Sequence, residues 1–231
     1  IVGHADLKLG TQVEEVLNQL KSASPNRFRG IRHNVTWSPA PEIENREIQG
    51  LLGDTTFRSG ARVLEKLGLT FDTMLFFPQL LELADFAKAI PDLKIILNHA
   101  GGVNRVGFYA GKEDEIIRTW EKGISEVSSC PNVYLKLGGL GMPRWGFGWY
   151  KRDLPVSSDE LASSIAPFMN YCIEQFGPDR CMFESNFPPD KVSYSYNIMY
   201  NAFKKLSKDY SVVERSSMFH DTATKVYKIE V

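Results

Sequence analysis

Short, dense apolar runs alternate along this chain with longer stretches whose apolar residues recur at three- and four-residue spacing. A dense run too short for a helix, with helical patterns on both sides, reads as a strand buried on both faces of a parallel sheet. Such runs fall at residues 1–5, 28–35, 71–77, 95–98 and 132–137, and a sixth strand with its turn spans 180–190. Between them the helical patterns are equally regular. Val13, Val16, Leu17 and Leu20 form a stripe behind a Thr11/Glu14 capping box. Residues 46–67 read as mostly helical with a break near Gly50 to Gly53, Asp54 or Thr55 capping the second part and Gly68 as the C′ residue. Pro78 opens a helix over 79–90. Ile116, Ile117, Trp120 and Ile124 line a helix over 112–127 with acids in its first turn. Ser157 and Glu160 cap a helix that stops at Gly177-Pro178. A helix over 194–208 follows, and a second box at Ser211/Glu214 starts the closing helices down to Tyr227.

Strand then helix, six times over, predicts a right-handed parallel α/β array. Two architectures satisfy it: an open doubly wound sheet, or a (β/α)8 barrel of the TIM type with six of its eight units in this chain. Residues 1–231 read as a single domain. No GxGxxG follows the first strand, and Gly138-Gly-Leu-Gly141 opens no helix, so the pattern carries little signal for phosphate.

Composition narrows the partners. With 27 Lys and Arg against 28 Asp and Glu, the net charge is −1, which gives no electrostatic reason to expect nucleic acid or a membrane surface. No apolar run is long enough to span a bilayer. The three cysteines, Cys130, Cys172 and Cys181, lack metal-ligand spacing and read as buried thiols of a reducing compartment, so a cytoplasmic location is expected. Asn34-Val-Thr36 matches a glycosylation sequon that a cytoplasmic chain leaves idle.

In parallel α/β folds the polar residues at the C-terminal ends of strands face the binding crevice. Here those positions hold Arg32 and His33, His99, Lys136, and Glu184 with Asn186. Strand alternation lets only one of Arg32 and His33 point inward and puts Glu184 and Asn186 on one face. A loop over 138–155, long for a compact domain, carries Arg144, Trp145, Phe147, Trp149 and Arg152. It reads either as a lid over a planar or apolar substrate, with arginines for its carboxylate, or as a surface packed on a neighbouring subunit of a homo-oligomer. Trp37 packs at a loop base or lines the pocket. Asp6 and Asp72 read as turn or cap residues, and His220 as a surface or capping residue.

Leu97-Asn-His-Ala-Gly-Gly102, Phe28-Arg-Gly-Ile-Arg-His33, Val133-Tyr-Leu-Lys-Leu137 and Cys181-Met-Phe-Glu-Ser-Asn-Phe-Pro188, in this order, resemble the amidohydrolase-related branch of the amidohydrolase superfamily. That branch includes lactonases and 2-pyrone-4,6-dicarboxylate hydrolase-like enzymes. The resemblance implies the (β/α)8 barrel, with His99 as the histidine of its sixth strand, Arg32 as a substrate-carboxylate arginine and Lys136 as a polar residue of the seventh. It further implies that this chain begins at the third barrel strand, so that the His-x-His pair of the first is absent, and that Asn186 stands where the family usually has a catalytic Asp. One divalent ion, zinc or manganese, with His99 among its ligands, is implied for the intact protein. His4, His33, His99 and His220 alone complete no such site.

The expected activity is hydrolysis of a small carboxylated lactone, ester or amide, with His99 central. Because an amide cannot accept a proton at neutral pH, three readings stay open. Glu184 or Asp190 supplies the base, or Asn186 orients water for His99, or the barrel only binds a ligand or partner. Glu184, one layer below Asn186, is equally an acid/base or half of a structural ion pair with Lys136 or Arg32. A decarboxylase of the same superfamily is a further alternative.

Overall fold

In a computed structural model, which describes residues 1–43 and 45–230, six strands lie side by side in chain order, every neighbouring pair parallel. They are β1 (Val2–Gly3), β2 (Gly30–Arg32), β3 (Thr70–Thr73), β4 (Ile95–Leu97), β5 (Val133–Leu137) and β6 (Cys181–Phe183). A doubly wound sheet reverses its strand order at a switch point. This order never reverses, so the sheet is six consecutive staves of a (β/α)8-type wall, and the open-sheet alternative falls.

The connecting helices are α1 (Val13–Ala23), α2 (Thr55–Lys66), α3 (Leu80–Ala89), α4 (Glu113–Ser128), α5 (Ser158–Phe176) and α6 (Tyr196–Leu206). Three short helical segments close the described chain: α7 (Val212–Ser216), a π turn (Ser217–Asp221) and α8 (Thr222–Tyr227). Several local signals act as expected. Asp54 accepts from Phe57 N at the start of α2, Ser157 accepts from Glu160 N, and the Ser211/Glu214 box closes in both directions. Two expectations fail. The Thr11/Glu14 box does not form, because a 3-10 segment (Leu7–Gln12) starts earlier. Asp6 caps it through Lys8 N, and it kinks at Gly10. The helix expected over 46–67 forms in its second part, as α2 behind the Asp54 cap. Its first part reduces to one 3-10 turn (Leu51–Gly53) after a left-handed Gly50.

Register assigns the faces. Arg32 pairs with Asp72, Asp72 with Ile96, Ile96 with Tyr134, and Lys136 with Met182, so these side chains share the inner face. Ile31, Phe71, Ile95, Leu97, Val133 and Leu135 occupy the other face and join the large core under the helices. The inner face holds a separate small cluster of Ile96, Tyr134 and Met182, covered by Val226 of α8. β4, buried at every position, and β5, buried at all but Lys136, gain little solvent face, which is why their sequences show near-continuous apolar runs instead of alternation.

The C-terminal helix is tied to this inner layer by charge as well. Asp72, 1% exposed, receives Lys136 Nζ at 2.7 Å and the Tyr227 hydroxyl at 2.7 Å on the same oxygen. Burial and the Asp72 charge push the Tyr227 hydroxyl well above its ordinary pKa, so it stays protonated and donates. No helix among the described residues is long and apolar enough to cross a membrane.

The turn leaving β4 sets the tightest steric limit. Gly102 has φ +64°, its carbonyl accepts from Phe77 N at 3.2 Å, and a Cβ there would lie 1.9 Å from Leu75 O. Gly102→Ala is therefore expected to cost about 2–4 kcal/mol through left-handed strain plus displacement of the Leu75 backbone. Urea denaturation checks this, and a loss below about 0.5 kcal/mol, the size of an ordinary surface substitution, contradicts it.

Candidate active site

Past β4 the chain enters four consecutive left-handed residues: His99 (φ +58°), Ala100 (+48°), Gly101 (+76°) and Gly102 (+64°). Two of these are not glycine, and each costs roughly 1–2 kcal/mol in that region. Named hydrogen bonds oppose the cost. Gly102 N donates to His99 O at 3.0 Å, Trp120 Nε1 to Ala100 O at 2.8 Å, and His99 N to Glu184 Oε1 at 3.1 Å. The turn folds the imidazole back over the sheet end, where His99 is 4% exposed.

There His99 Nδ1 lies 2.5 Å from Glu184 Oε1. Burial raises the Glu184 pKa, but the charge the His99 ring carries when protonated, its hydrogen bonds, and Lys136 behind them outweigh it and hold the carboxyl below its ordinary 4.5. An ionised carboxylate only accepts, so Nδ1 carries the proton. The other ring nitrogen, Nε2, faces Arg32 Nη2 at 3.3 Å, and a guanidinium only donates. The two neighbours together assign a neutral ring with its lone pair on Nε2.

Glycines make room for this arrangement. A Cβ on Gly138 would meet Glu184 at 2.4 Å, one on Gly139 would meet the His99 side chain at 2.7 Å, and one on Gly141 would meet Asp190 at 2.9 Å. The glycine-rich run that carries little phosphate signal thus has a steric role: it lets β5's exit pass against three acid and imidazole side chains.

A cavity of about 350 Å³ opens beside the ring, lined by Arg32, Asn34, Thr36, Arg46, Met74, Phe76, His99, Met142, Arg144, Asn186 and Pro189. Arg32, His99, Arg144 and Asn186, all expected from the sequence, meet here, with Glu184 directly behind His99. Four others do not. His33 turns toward the helix layer, its Nε2 3.1 Å from Glu47 and its ring edge-on to Phe57 at 5.2 Å. Lys136 is held in the Asp72–Tyr227 network and borders a separate hollow with Arg27 and Arg29. Trp145 is fully buried in the chain's own core, T-shaped on Phe168 at 5.1 Å, so it is neither a lid nor an exposed contact. Trp37 lies outside the cavity and donates its main-chain N–H to Gln79. Arg152 pairs with Glu160 on the surface.

Asn34 and Met74 line the cavity although neither was singled out in the sequence. Each sits two residues past an inward-facing position, Arg32 and Asp72, so alternation alone could have found them. Asp190 was legible only as a spare acid. It is fully buried and its oxygens are spent, accepting from Asn186 Nδ2 at 2.7 Å, Gly141 N at 3.0 Å and Tyr194 OH at 2.7 Å. Burial raises its pKa despite those donors. It clamps the β6 turn to the β5 exit and has no lone pair turned to the cavity through these bonds.

The residues present do not fit a divalent ion. Among the described residues no three His, Cys, Asp or Glu side chains gather at one point. The free nitrogen of His99 also faces a guanidinium, a cation where a metal would have to stand. The expectation of His99 as a metal ligand therefore finds no support from its neighbours in this chain.

The amidohydrolase family profile matches residues 3–229. The chain belongs to this family. Similar to this amidohydrolase chain is an uncharacterized protein, y4mH, of Sinorhizobium fredii, 33% identical over 99% of this chain and 69% of the relative. An L-fucono-1,5-lactonase of Burkholderia multivorans is 24% identical over 99% of this chain and 71% of its own length. A crystal structure of a Burkholderia multivorans amidohydrolase with bound zinc superposes with a TM-score of 0.80 at 22% identity, over 99% of this chain and 73% of the other. That likeness shows a shared fold. The chain thus spans about seven tenths of the length of these family members.

Two outcomes follow from the pairings. Glu184, held below 4.5, contributes stability above that pH, and the contribution fades as pH falls through its lower folded value. Glu184→Gln is expected to cost about 1.5–3 kcal/mol at pH 7, the worth of a charged hydrogen bond, and to flatten the acid limb of the Tm–pH curve. An unchanged acid limb contradicts the pairing. Asn186→Asp would set a second carboxyl against buried Asp190, losing about 2–4 kcal/mol at pH 7 with partial recovery near pH 5 as one of the two takes a proton. Equal stability of variant and parent at both pH values rules that out.

Proposed function

We propose that this amidohydrolase chain hydrolyses a small carboxylated lactone at the cavity beside His99. One observation carries the reading: an imidazole whose Nδ1 lies 2.5 Å from the Glu184 carboxylate borders a cavity that also presents arginines. In lactone hydrolysis, water attacks the ring carbonyl, loses a proton as it does so, and leaves an oxyanion. His99 Nε2 accepts that proton, and Glu184 stabilises the resulting imidazolium through Nδ1–H. Arg32, 3.3 Å from Nε2, supplies positive charge beside the developing oxyanion. When the ring C–O bond breaks, the imidazolium returns the proton to the departing alkoxide, and the product is a hydroxy acid.

The substitution of Asn for the family's usual Asp at 186 does not leave the imidazole without an acid. Glu184, two residues earlier on the same face, contacts the ring directly, whereas Asn186 donates to Asp190. This favours a hydrolase over a barrel that only binds. The relative named as a lactonase supplies the substrate class, and the arginines supply the preference for an acid.

The test is turnover of sugar-acid lactones and carboxylated lactones, followed by acid release, in the parent and in His99→Asn. Asparagine tolerates the left-handed backbone at 99 and keeps a donor for Glu184, but it cannot take a proton. A fall in kcat/KM of about 100-fold or more, with folding retained, is expected for loss of a general base. Undiminished hydrolysis by His99→Asn would remove the ring from the mechanism.

A further inference from the structure

Arg144 is pinned from behind and borders the cavity in front. Its carbonyl accepts from Arg105 N at 2.8 Å, Arg105 Nε donates to Trp145 O at 2.6 Å, and the buried Trp145 anchors the next position. The guanidinium itself lies at the cavity, yet its Nε and Nη2 are out of solvent and have no hydrogen-bond partner among the described residues. Burial draws its pKa down to about 10, against the opposing charges of Asp190 and Glu184. A buried cation with two unmet donors is a cost to the fold unless something anionic meets it.

The identity of the two unmet nitrogens matters. Nε and Nη2 form one edge of the guanidinium plane, with parallel N–H vectors that match the two oxygens of a carboxylate. Arg32 has no such free edge. Its Nε donates to Asn34 Oδ1 at 2.9 Å, and its Nη2 faces His99 Nε2 and, at 3.8 Å, Met74 Sδ.

We propose that Arg144, and not Arg32, anchors the substrate's carboxylate, gripping both oxygens through Nε and Nη2 while Arg32 stays beside His99. The two arginines then divide the work. Arg144 fixes one end of the molecule and selects for acids, and Arg32 attends the reacting carbonyl. Met142 and Phe76 flank the anchor and leave apolar walls for the body of the substrate. This assignment rests on the hydrolase reading for what the acid is part of, but the anion site itself stands independently of turnover.

Calorimetric titration of the full chain with succinate, and with neutral succinamide as control, tests it. Succinate is expected to bind and succinamide not to. Arg144→Gln should weaken succinate at least about tenfold, Arg144→Lys should fail to restore it because a point charge cannot grip both oxygens, and Arg32→Gln should change it less than about threefold. Without ligand, Arg144→Gln should melt higher than the parent, since it removes an unpaired buried charge, whereas a merely structural arginine would melt lower on removal. Absence of succinate binding, equal binding of succinamide, or loss in Arg32→Gln with Arg144→Gln unaffected overturns the proposal. Succinate binding that depends on Arg144 in a chain that opens no lactone upholds the anchor and defeats the hydrolase reading alone.

Discussion

One short contact, between an imidazole on the turn after β4 and a carboxylate at the end of β6, organises the active end of this sheet. For it to form, His99 must leave the strand in the left-handed region, which a side chain larger than glycine adopts only when its surroundings compel it. Beside the bonds from Gly102 N and Trp120 Nε1, one acid ties the residue twice: Glu184 receives both the ring and the main-chain N–H of His99. The same oxygen therefore holds the backbone strain and the tautomer. Three β5-exit glycines make the approach possible, so steric room on one strand, strain on a second and charge on a third are parts of one arrangement.

The inner face is divided along the strands. One level holds Asp72, Lys136 and Tyr227, a buried charge met on the same oxygen by a cation and a hydroxyl, with α8 laid across the apolar cluster beside it. The other holds Arg32, His99 and Glu184 beside the cavity. Both contain ionised groups, but in the first the buried acid is met within the chain by two donors. A buried carboxylate so met makes a weak claim on ligands. An imidazole lone pair facing a guanidinium is a less settled arrangement, because each group can be drawn off by a better partner. This contrast explains why Lys136, polar and near a strand end, sits in the structural layer while Arg32 sits in the chemical one.

The β/α alternation was legible because continuous apolar runs report strands buried on both faces, and the strand-end rule located His99, Arg32, Glu184 and Asn186 in one region. Strand order was not legible, since the same alternation serves open sheets and barrels. Loop residues were read least well. Trp145 and Trp37 are amphipathic, and nothing in their spacing tells a core anchor from a pocket wall. His33 differs: alternation allowed only one of Arg32 and His33 to point inward, and the structure turns Arg32 in and His33 out. Asp190 was unreadable as a clamp because its partners, Gly141 and Tyr194, come from two other parts of the chain.

The residues at 184, 186 and 190 are best understood together. Asp190 is fully buried and offers only acceptors, so its neighbour at 186 must bring a donor, and an asparagine amide does so at 2.7 Å. A carboxylate at 186 would place two acids within hydrogen-bond distance out of solvent, where one must take a proton. With 186 committed to donation, an acid for the imidazole has to come from elsewhere on the same face, and strand alternation offers 184 as the nearest such position. Glu184 has the longer side chain needed to reach from that deeper level, and it meets the ring on the Nδ1 side, leaving Nε2 turned toward Arg32. The amide at 186 therefore does not require a site without its acid. The acid stands one step lower, on the far side of the ring.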